Sequence, residues 1–237
     1  MKLTVDDIAR MTDLSTVRAH HTLAEVRELA ECAKRYHCKI AYVLPCYLEE
    51  LKVLLADAPE VGPAAAVGFP SGGHTTEIKV AEAKTLVAAG SAELDMVANV
   101  GMLRSGRDDF VEEEIRRVVE AAGEIMVKVI LECHYLSDDE IRRGSEICVR
   151  AGAAFVKTGS GWAETGATLH NVTLIKSIVG DDALVKASGG VRDVETLAEM
   201  FRRGATRFGI GMAAGQEIFD QCAALPGGAI EVGETAN

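Results

Sequence analysis

The chain has 237 residues, 48% of them hydrophobic and 26% charged. That composition excludes a disordered chain, and the length suits one α/β barrel better than two separate cores. Lysine and arginine number 25 against 36 aspartates and glutamates, a formal charge of −11. So acidic a chain is repelled by phosphate backbones and anionic lipid, so neither nucleic acid nor membrane is an expected partner. No apolar run approaches the ~18 residues of a membrane-spanning helix, and no charged-then-apolar leader opens the sequence. The expected location is therefore the cytoplasm.

Short apolar runs alternate with amphipathic stretches along the chain. The first, weakest run is 8–14 (IARMTDL). Then come 41–45 (AYVLP), 64–70 (AAAVGFP), 93–99 (ELDMVAN) and 126–132 (MVKVILE). The last three are 155–161 (FVKTGSG), 184–190 (LVKASGG) and 207–211 (RFGIG). Each is too short for a helix and is bounded by turn residues, as buried parallel strands are.

Helical patterns fill the intervals. Thr22 with Glu25, Asp109 with Glu112, and Ser137 with Glu140 have the spacing of capping boxes. They predict helices to about Tyr36, over 110–122, and to about Ala151. Similar patterns cover 47–57, 76–89, 168–179, 193–203 and 213–223. Gly90, Gly123, Gly152, Gly180 and Gly204 follow predicted helix ends, where a left-handed residue is wanted. Eight consecutive βα units predict a single-domain (β/α)8 TIM barrel over 1–225, with an open doubly wound sheet as the rival. Residues 226–237, Gly-rich and acidic, are expected to form a flexible tail. The six cysteines show no C-x-x-C pair or ligand spacing, so reduced, mostly buried thiols are expected, with no metal and no cofactor.

In such a barrel the chemistry sits at the C-terminal ends of the strands. The polar residues interrupting the predicted strands are Asp95, Lys128, Glu132, Lys157 and Lys186. A lysine in an apolar strand is costly unless it is paired or neutral. Here VKV, VKT and VKA place one on each of three consecutive strands. Clustered, desolvated ammonium groups lower one another's pKa, and a neutral amine attacks carbonyls. This points to Schiff-base chemistry by Lys157 and Lys186, with Asp95 as counter-ion or proton carrier. Small residues after both lysines let a substrate approach the backbone: Ser160 after Lys157, and Ser188, Gly189 and Gly190 after Lys186. Gly209 and Gly211 precede a helix whose N–H groups could face an anion. Loop 68–73 reads as a rim element. Trp162 is placed equally well at the mouth of the site or in the core, and His74 and His134 are weak candidates for its border.

The order GFPSGGHTTEIKVAEA (68–83), ELDMVANVGMLRSG (93–106), VKVILE (127–132), FVKTGSGW (155–162) and VKASGGVRD (185–193) resembles the deoxyribose-phosphate aldolases. The resemblance extends from about Asp13 to about Gly211. It implies a class I aldolase that reversibly cleaves deoxyribose 5-phosphate to acetaldehyde and glyceraldehyde 3-phosphate without a metal. It gives Lys157 the Schiff base, Lys186 the lowering of its pKa, Asp95 the proton relay, and Gly189 and Gly190 a phosphate-side turn.

The chain departs from the family pattern where the anion would be held. Gly211 and Met212 stand where the family has hydroxyl residues, and Trp162 stands where many members have lysine. Each lost side-chain contact to a charged group is worth ~1.5–3 kcal/mol. An acceptor that is unphosphorylated or more apolar is therefore within the expectation, although backbone N–H groups and Arg192 still offer an anion site. Tyr42 takes the place of a cysteine, with Cys46 close by, and the family's D-L-T stretch reads Asp13-Leu14-Ser15. The expected partner is a small aldehyde or sugar phosphate, and a homo-oligomer is compatible with the sequence. Two alternatives remain at this stage: a Schiff-base lyase or dehydratase acting on another oxo compound, and a non-catalytic sugar-binding barrel.

Overall fold

The computed structural model describes residues 1–233. Strand β1 (Lys2–Thr4) leads into helix α1 (Val5–Arg10) and then β2 (Thr12–Thr16). Next come α2 (Leu23–Tyr36), β3 (Ile40–Val43), α3 (Leu48–Leu54), β4 (Gly62–Val67), α4 (Thr76–Ala88) and β5 (Leu94–Val97). The chain continues with α5 (Val100–Arg104), α6 (Asp108–Ala122), β6 (Val127–Ile130), α7 (Asp138–Arg150) and β7 (Phe155–Lys157). It ends with α8 (Leu169–Val179), β8 (Leu184–Ser188), α9 (Val194–Arg202), β9 (Ala205–Gly211), α10 (Met212–Ala224) and β10 (Ala229–Glu231).

Strands β2 to β9 pair in parallel and close, β9 returning to β2, into the eight-stranded barrel. Helices cover its outside, so the strands are buried on both faces. That is why β3, β5 and β6, buried at every position, read as near-continuous apolar runs, broken only by Asp95 in β5 and Lys128 in β6. Two capping boxes form as spaced, with Thr22 N–H donating to Glu25 at 2.7 Å and Ser137 N–H donating to Glu140 at 2.8 Å. The third does not. Helix α6 begins at Asp108, so Asp109 lies in its first turn, where its charge faces the helix N-terminus.

Three further features depart from the sequence expectation. The first barrel strand is Thr12–Thr16, not 8–14. Thr4 and Asp7 form a capping box that starts α1, and this helix buries Ile8 and Ala9. The apolar residues thus serve a helix, and Asp13 falls inside the barrel strand. An unexpected short helix, α5, is nucleated where the Asn99 side chain accepts the Met102 N–H at 3.2 Å. Finally, the segment expected to be a flexible tail folds back in part. Strand β10 pairs antiparallel with β1, Leu3 opposite Ile230, and Val232 is buried. Burial of Leu3 and Val232 supplies the apolar contact that holds the ribbon. Residues 234–237 of that tail lie outside the described residues.

Outside the barrel, Lys79 of α4 and Glu114 of α6 form a fully buried ion pair at 2.7 Å. Lys79 also donates to the Val97 carbonyl at 2.8 Å, at the end of β5. Burial pushes the Lys79 pKa down and the Glu114 pKa up, against their mutual attraction. Removing one partner leaves a buried charge uncompensated. We expect Glu114→Leu to lose about 3–5 kcal/mol in urea unfolding, and Lys79→Met/Glu114→Leu to recover most of it.

Candidate active site

The barrel interior is charged where a core would ordinarily be apolar. Asp13 of β2, Asp95 of β5, Lys128 of β6, Lys157 of β7, Lys186 of β8 and Arg207 of β9 all point inward and are buried, as is Glu93 just before β5. Three carboxylates, Asp13, Glu93 and Asp95, thus face four cationic side chains, Lys128, Lys157, Lys186 and Arg207. In a poorly solvated interior the surplus positive charge is unfavourable, and loss of one ammonium proton balances the set.

The lower part of this network is densely ion-paired. Arg207 Nη1 donates to Asp13 at 2.7 Å and to Glu93 at 3.1 Å, and Lys128 is paired with Glu93. Lys128 also reaches Asp13 at 3.5 Å and Asp95 at 3.4 Å. Burial opposes its charge, but the three carboxylates win and raise its pKa. Lys128 is thus a fixed cation.

The upper part is arranged around Asp95. Its Oδ2 accepts from Lys157 Nζ at 2.6 Å and from Lys186 Nζ at 2.8 Å. Lys157 and Lys186 are register partners on adjacent strands, which sets the two amines side by side. Asp95 Oδ1 accepts from the Tyr42 hydroxyl at 2.8 Å. The Tyr42 ring lies 4.6 Å beneath Lys186 Nζ and 5.3 Å from Lys128 Nζ, a cation–π wall between the ammonium groups. Burial first, and then the surrounding carboxylates, push the Tyr42 phenol well above its ordinary value, so it remains a donor.

The electrostatics follow from this packing. Burial would raise the Asp13 pKa, but Lys186, Lys128 and Arg207 outweigh it and hold the carboxyl at about 2. Asp95 is likewise held well below the carboxylate range by Lys157, Lys186 and Lys128, against its burial. Lys186 is pushed down to about 8 by burial, opposed by Asp13 and Asp95 and reinforced by Lys157 and Lys128. Near neutral pH it can therefore both give and take a proton.

These amines open upward. A small cavity of about 30 Å³ is lined by Lys157, Lys186, Asp95, Tyr42 and Phe69, among others. It adjoins a larger one of about 360 Å³ at the C-terminal ends of β7, β8 and β9. The candidates Ser160, Ser188 and Gly209 line both, while Gly189, Gly190 and Gly211 line the larger one. Gly189 and Gly190 have φ of 79° and 110°, a turn that other residues adopt only with strain. Gly209 leaves room for its neighbours, because a Cβ there would meet Ser188 Oγ at 2.5 Å and Lys186 Cε at 3.1 Å. A hollow of about 800 Å³ between α2 and α10 is larger still, but it lies on the outer surface, away from the charged interior.

Trp162 lines the mouth of the larger cavity. Its indole N–H donates to the Val17 carbonyl at 3.0 Å, and Phe69 meets it edge-on at 6.0 Å. Arg18 donates to the Gly161 carbonyl at 2.7 Å, and its guanidinium lies 5.7 Å from the indole ring. Neither His74 nor His134 lines either cavity. His134 instead lies 2.7 Å from the Thr165 hydroxyl. Sequence reasoning passed over Asp13, Glu93, Arg207 and Arg18. Asp13 carried two signals, its place near the end of the first expected strand and its place in the Asp13-Leu14-Ser15 stretch, and neither marked it as a site residue.

A family model described as DeoC/LacD family aldolase matches residues 4–221. A deoxyribose-phosphate aldolase of Sinorhizobium medicae is 46% identical over 231 residues, covering 98% of this chain and 93% of that protein. One from Klebsiella pneumoniae is 45% identical, covering 90% and 87%. Among solved structures, an aldolase named QR15 superposes with a TM-score of 0.83 at 35% identity, covering 90% of this chain and 94% of that one. A deoxyribose phosphate aldolase from Aeropyrum pernix, described as tetrameric, gives a TM-score of 0.85 at 28% identity, with 94% of each chain covered.

The depressed Asp13 pKa links the site to acid stability. Its folded value of about 2 lies below the ordinary carboxylate value of 3.8, so its contribution is present above pH 3.8 and is lost as pH falls through about 2. The full contribution is about 2 kcal/mol, of which about half is gone by pH 3. We expect Asp13→Asn to be less stable at pH 7 but to lose less stability between pH 6 and pH 3, read by urea unfolding at each pH.

Proposed function

The chain belongs to the DeoC/LacD family of aldolases, and on that premise we propose that it cleaves 2-deoxyribose 5-phosphate through an imine on Lys157. The observation that carries this reading is one buried carboxylate, Asp95, shared by two register-paired amines beneath a cavity.

Lys157 is the better nucleophile by its ties. Among the described residues its ammonium pairs with Asp95, whereas Lys186 pairs with Asp95 and Asp13, and Lys128 with Asp13, Glu93 and Asp95. Lys157 is also the most exposed of the three, at 6% against 1% and 0%. Its nitrogen attacks the open-chain carbonyl carbon, and Asp95 and Lys186 accept and redistribute the protons. Lys186, with its pKa at about 8, returns a proton to the carbinolamine oxygen, and water leaves. The resulting iminium draws the electrons of the bond between the α- and β-carbons into an enamine as the hydroxyl on the β-carbon loses its proton and becomes the carbonyl of the acceptor aldehyde. The acceptor aldehyde departs. Protonation of the enamine carbon and hydrolysis of the imine then release acetaldehyde and restore Lys157.

The positive-φ turn at Gly189 and Gly190, together with Arg18 and Arg192 on the larger cavity, supports a phosphorylated substrate end. On this reading the two arginines offset the family lysine and hydroxyl residues replaced by Trp162, Gly211 and Met212. The tetrameric description of the Aeropyrum relative supports a homo-oligomer. The cysteines are all unpaired, which supports action in the reducing cytoplasm.

Incubation with acetaldehyde and borohydride should reduce the imine to a stable adduct, located on Lys157 by peptide mass mapping. Lys157→Ala should lose both the adduct and turnover, and labelling that persists at another lysine would contradict the assignment. Lys186→Met should lower kcat by ~10²–10⁴-fold, the usual range for a positioned proton donor. In the wild type, kcat/KM should fall as pH rises through about 8, where Lys186 gives up its proton, and this limb should be missing in Lys186→Met.

A further inference from the structure

Glu132 lies just past β6 and is buried, yet it enters no ion pair among the described residues. A buried carboxylate without a cation is uncommon and calls for a specific set of donors. Its backbone is left-handed, with φ 56° and ψ 61°. The other left-handed non-glycine among the described residues, His37, ends helix α2. At Glu132 the strain belongs to a loop at the C-terminal face of the barrel, where held conformations serve function.

The hydrogen bonds show what this conformation achieves. The Leu131 N–H donates to the Lys157 carbonyl at 3.0 Å, and the Cys133 N–H donates to the Thr158 carbonyl at 2.8 Å. Between them the turn at Glu132 directs its carboxylate beneath the segment that follows Lys157. The Ser160 N–H donates to Oε1 at 3.1 Å and lies 3.3 Å from Oε2, and the Ser160 hydroxyl donates to Oε2. Ser160 Oγ in turn accepts the Trp162 N–H at 3.0 Å. Gly159 fits the same arrangement, because a Cβ there would meet Glu132 Oε1 at 2.9 Å and the Ser188 carbonyl oxygen at 3.3 Å. Its φ lies outside the left-handed region, so space rather than backbone freedom calls for glycine.

Resting on the imine reading above, we propose that Glu132 is a positioning residue for the acceptor half of the reaction. Its carboxylate holds Ser160 and, through the Ser160 hydroxyl, the start of the Trp162 wall. Lys157 is held separately, by pairing of β7 on both sides and by Asp95. The charge of Glu132 therefore shapes the larger cavity and leaves the nucleophile in place.

The test separates the two halves in the full-length enzyme. The donor half is the rate of borohydride trapping with acetaldehyde. The acceptor half is KM for glyceraldehyde 3-phosphate in the synthetic direction. Glu132→Gln keeps the size and removes the charge, Glu132→Asp keeps the charge on a shorter arm, and Gly159→Ala pushes a methyl against the carboxylate. We expect trapping within about 2-fold of wild type in all three, with KM raised about tenfold or more in Glu132→Gln and Gly159→Ala. Glu132→Asp should fall between Glu132→Gln and wild type. An unchanged KM in Glu132→Gln overturns the proposal. So does trapping that falls in parallel with turnover, which would mean general collapse of the loop. If Glu132→Gln fails to fold, Gly159→Ala decides by the same criteria. Absence of trapping in the wild type would sink the imine reading itself, and this proposal with it.

Discussion

Everything in this barrel depends on charges enclosed where water cannot balance them. Asp95 is the hinge of that constraint, because one of its oxygens holds Lys157 and Lys186 while the other is fixed by the Tyr42 hydroxyl. Were the interior apolar, the amines would have no reason to be there. Burial makes an unbalanced cation costly there, and it pushes Lys186 down to about 8 against the pull of Asp13 and Asp95, with Lys157 and Lys128 adding to the effect.

The fold supplies this arrangement through strand register. Parallel pairing sets Lys157 opposite Lys186 and Asp95 opposite Lys128, so that residues distant in sequence meet in one cross-section. The lower layer of Arg207, Glu93, Asp13 and Lys128 is buried and ion-paired, and forms the base of the site. Reactivity is left to the top layer, where Lys157 has the fewest partners and the nearest opening. The loops after β2, β6, β7 and β8 are tied together: Glu132 to Ser160, Thr158 hydroxyl to the Ser188 carbonyl at 2.9 Å, and Arg18 to Gly161.

The strands and most helices were legible because their signals are local: an apolar run, a capping pair, a glycine at a helix end. The lysines were legible for the opposite reason, since a cation in an apolar run violates the local pattern and demands a cause. Asp13 was obscured because Ile8 and Ala9 extended the apparent strand, although a capped helix claims them. Glu93 and Arg207 look like ordinary polar residues at strand edges, and their pairing joins positions 114 residues apart. Tyr42 registered only as a departure from a family pattern, because nothing local reveals that its hydroxyl ends on Asp95. The β1–β10 ribbon was missed for the same reason, since two three-residue strands at opposite ends of the chain carry no local sign of each other.

The account stands or falls on whether the enclosed amines depart from ordinary lysine behaviour. Labelling lysine with ¹³C at Cε and following the shifts against pH reads the protonation of each ammonium in the folded enzyme. The account predicts a buried resonance that titrates at about 8 and disappears in Lys186→Met. Titration of every lysine near the unperturbed value of about 10.4 would contradict it.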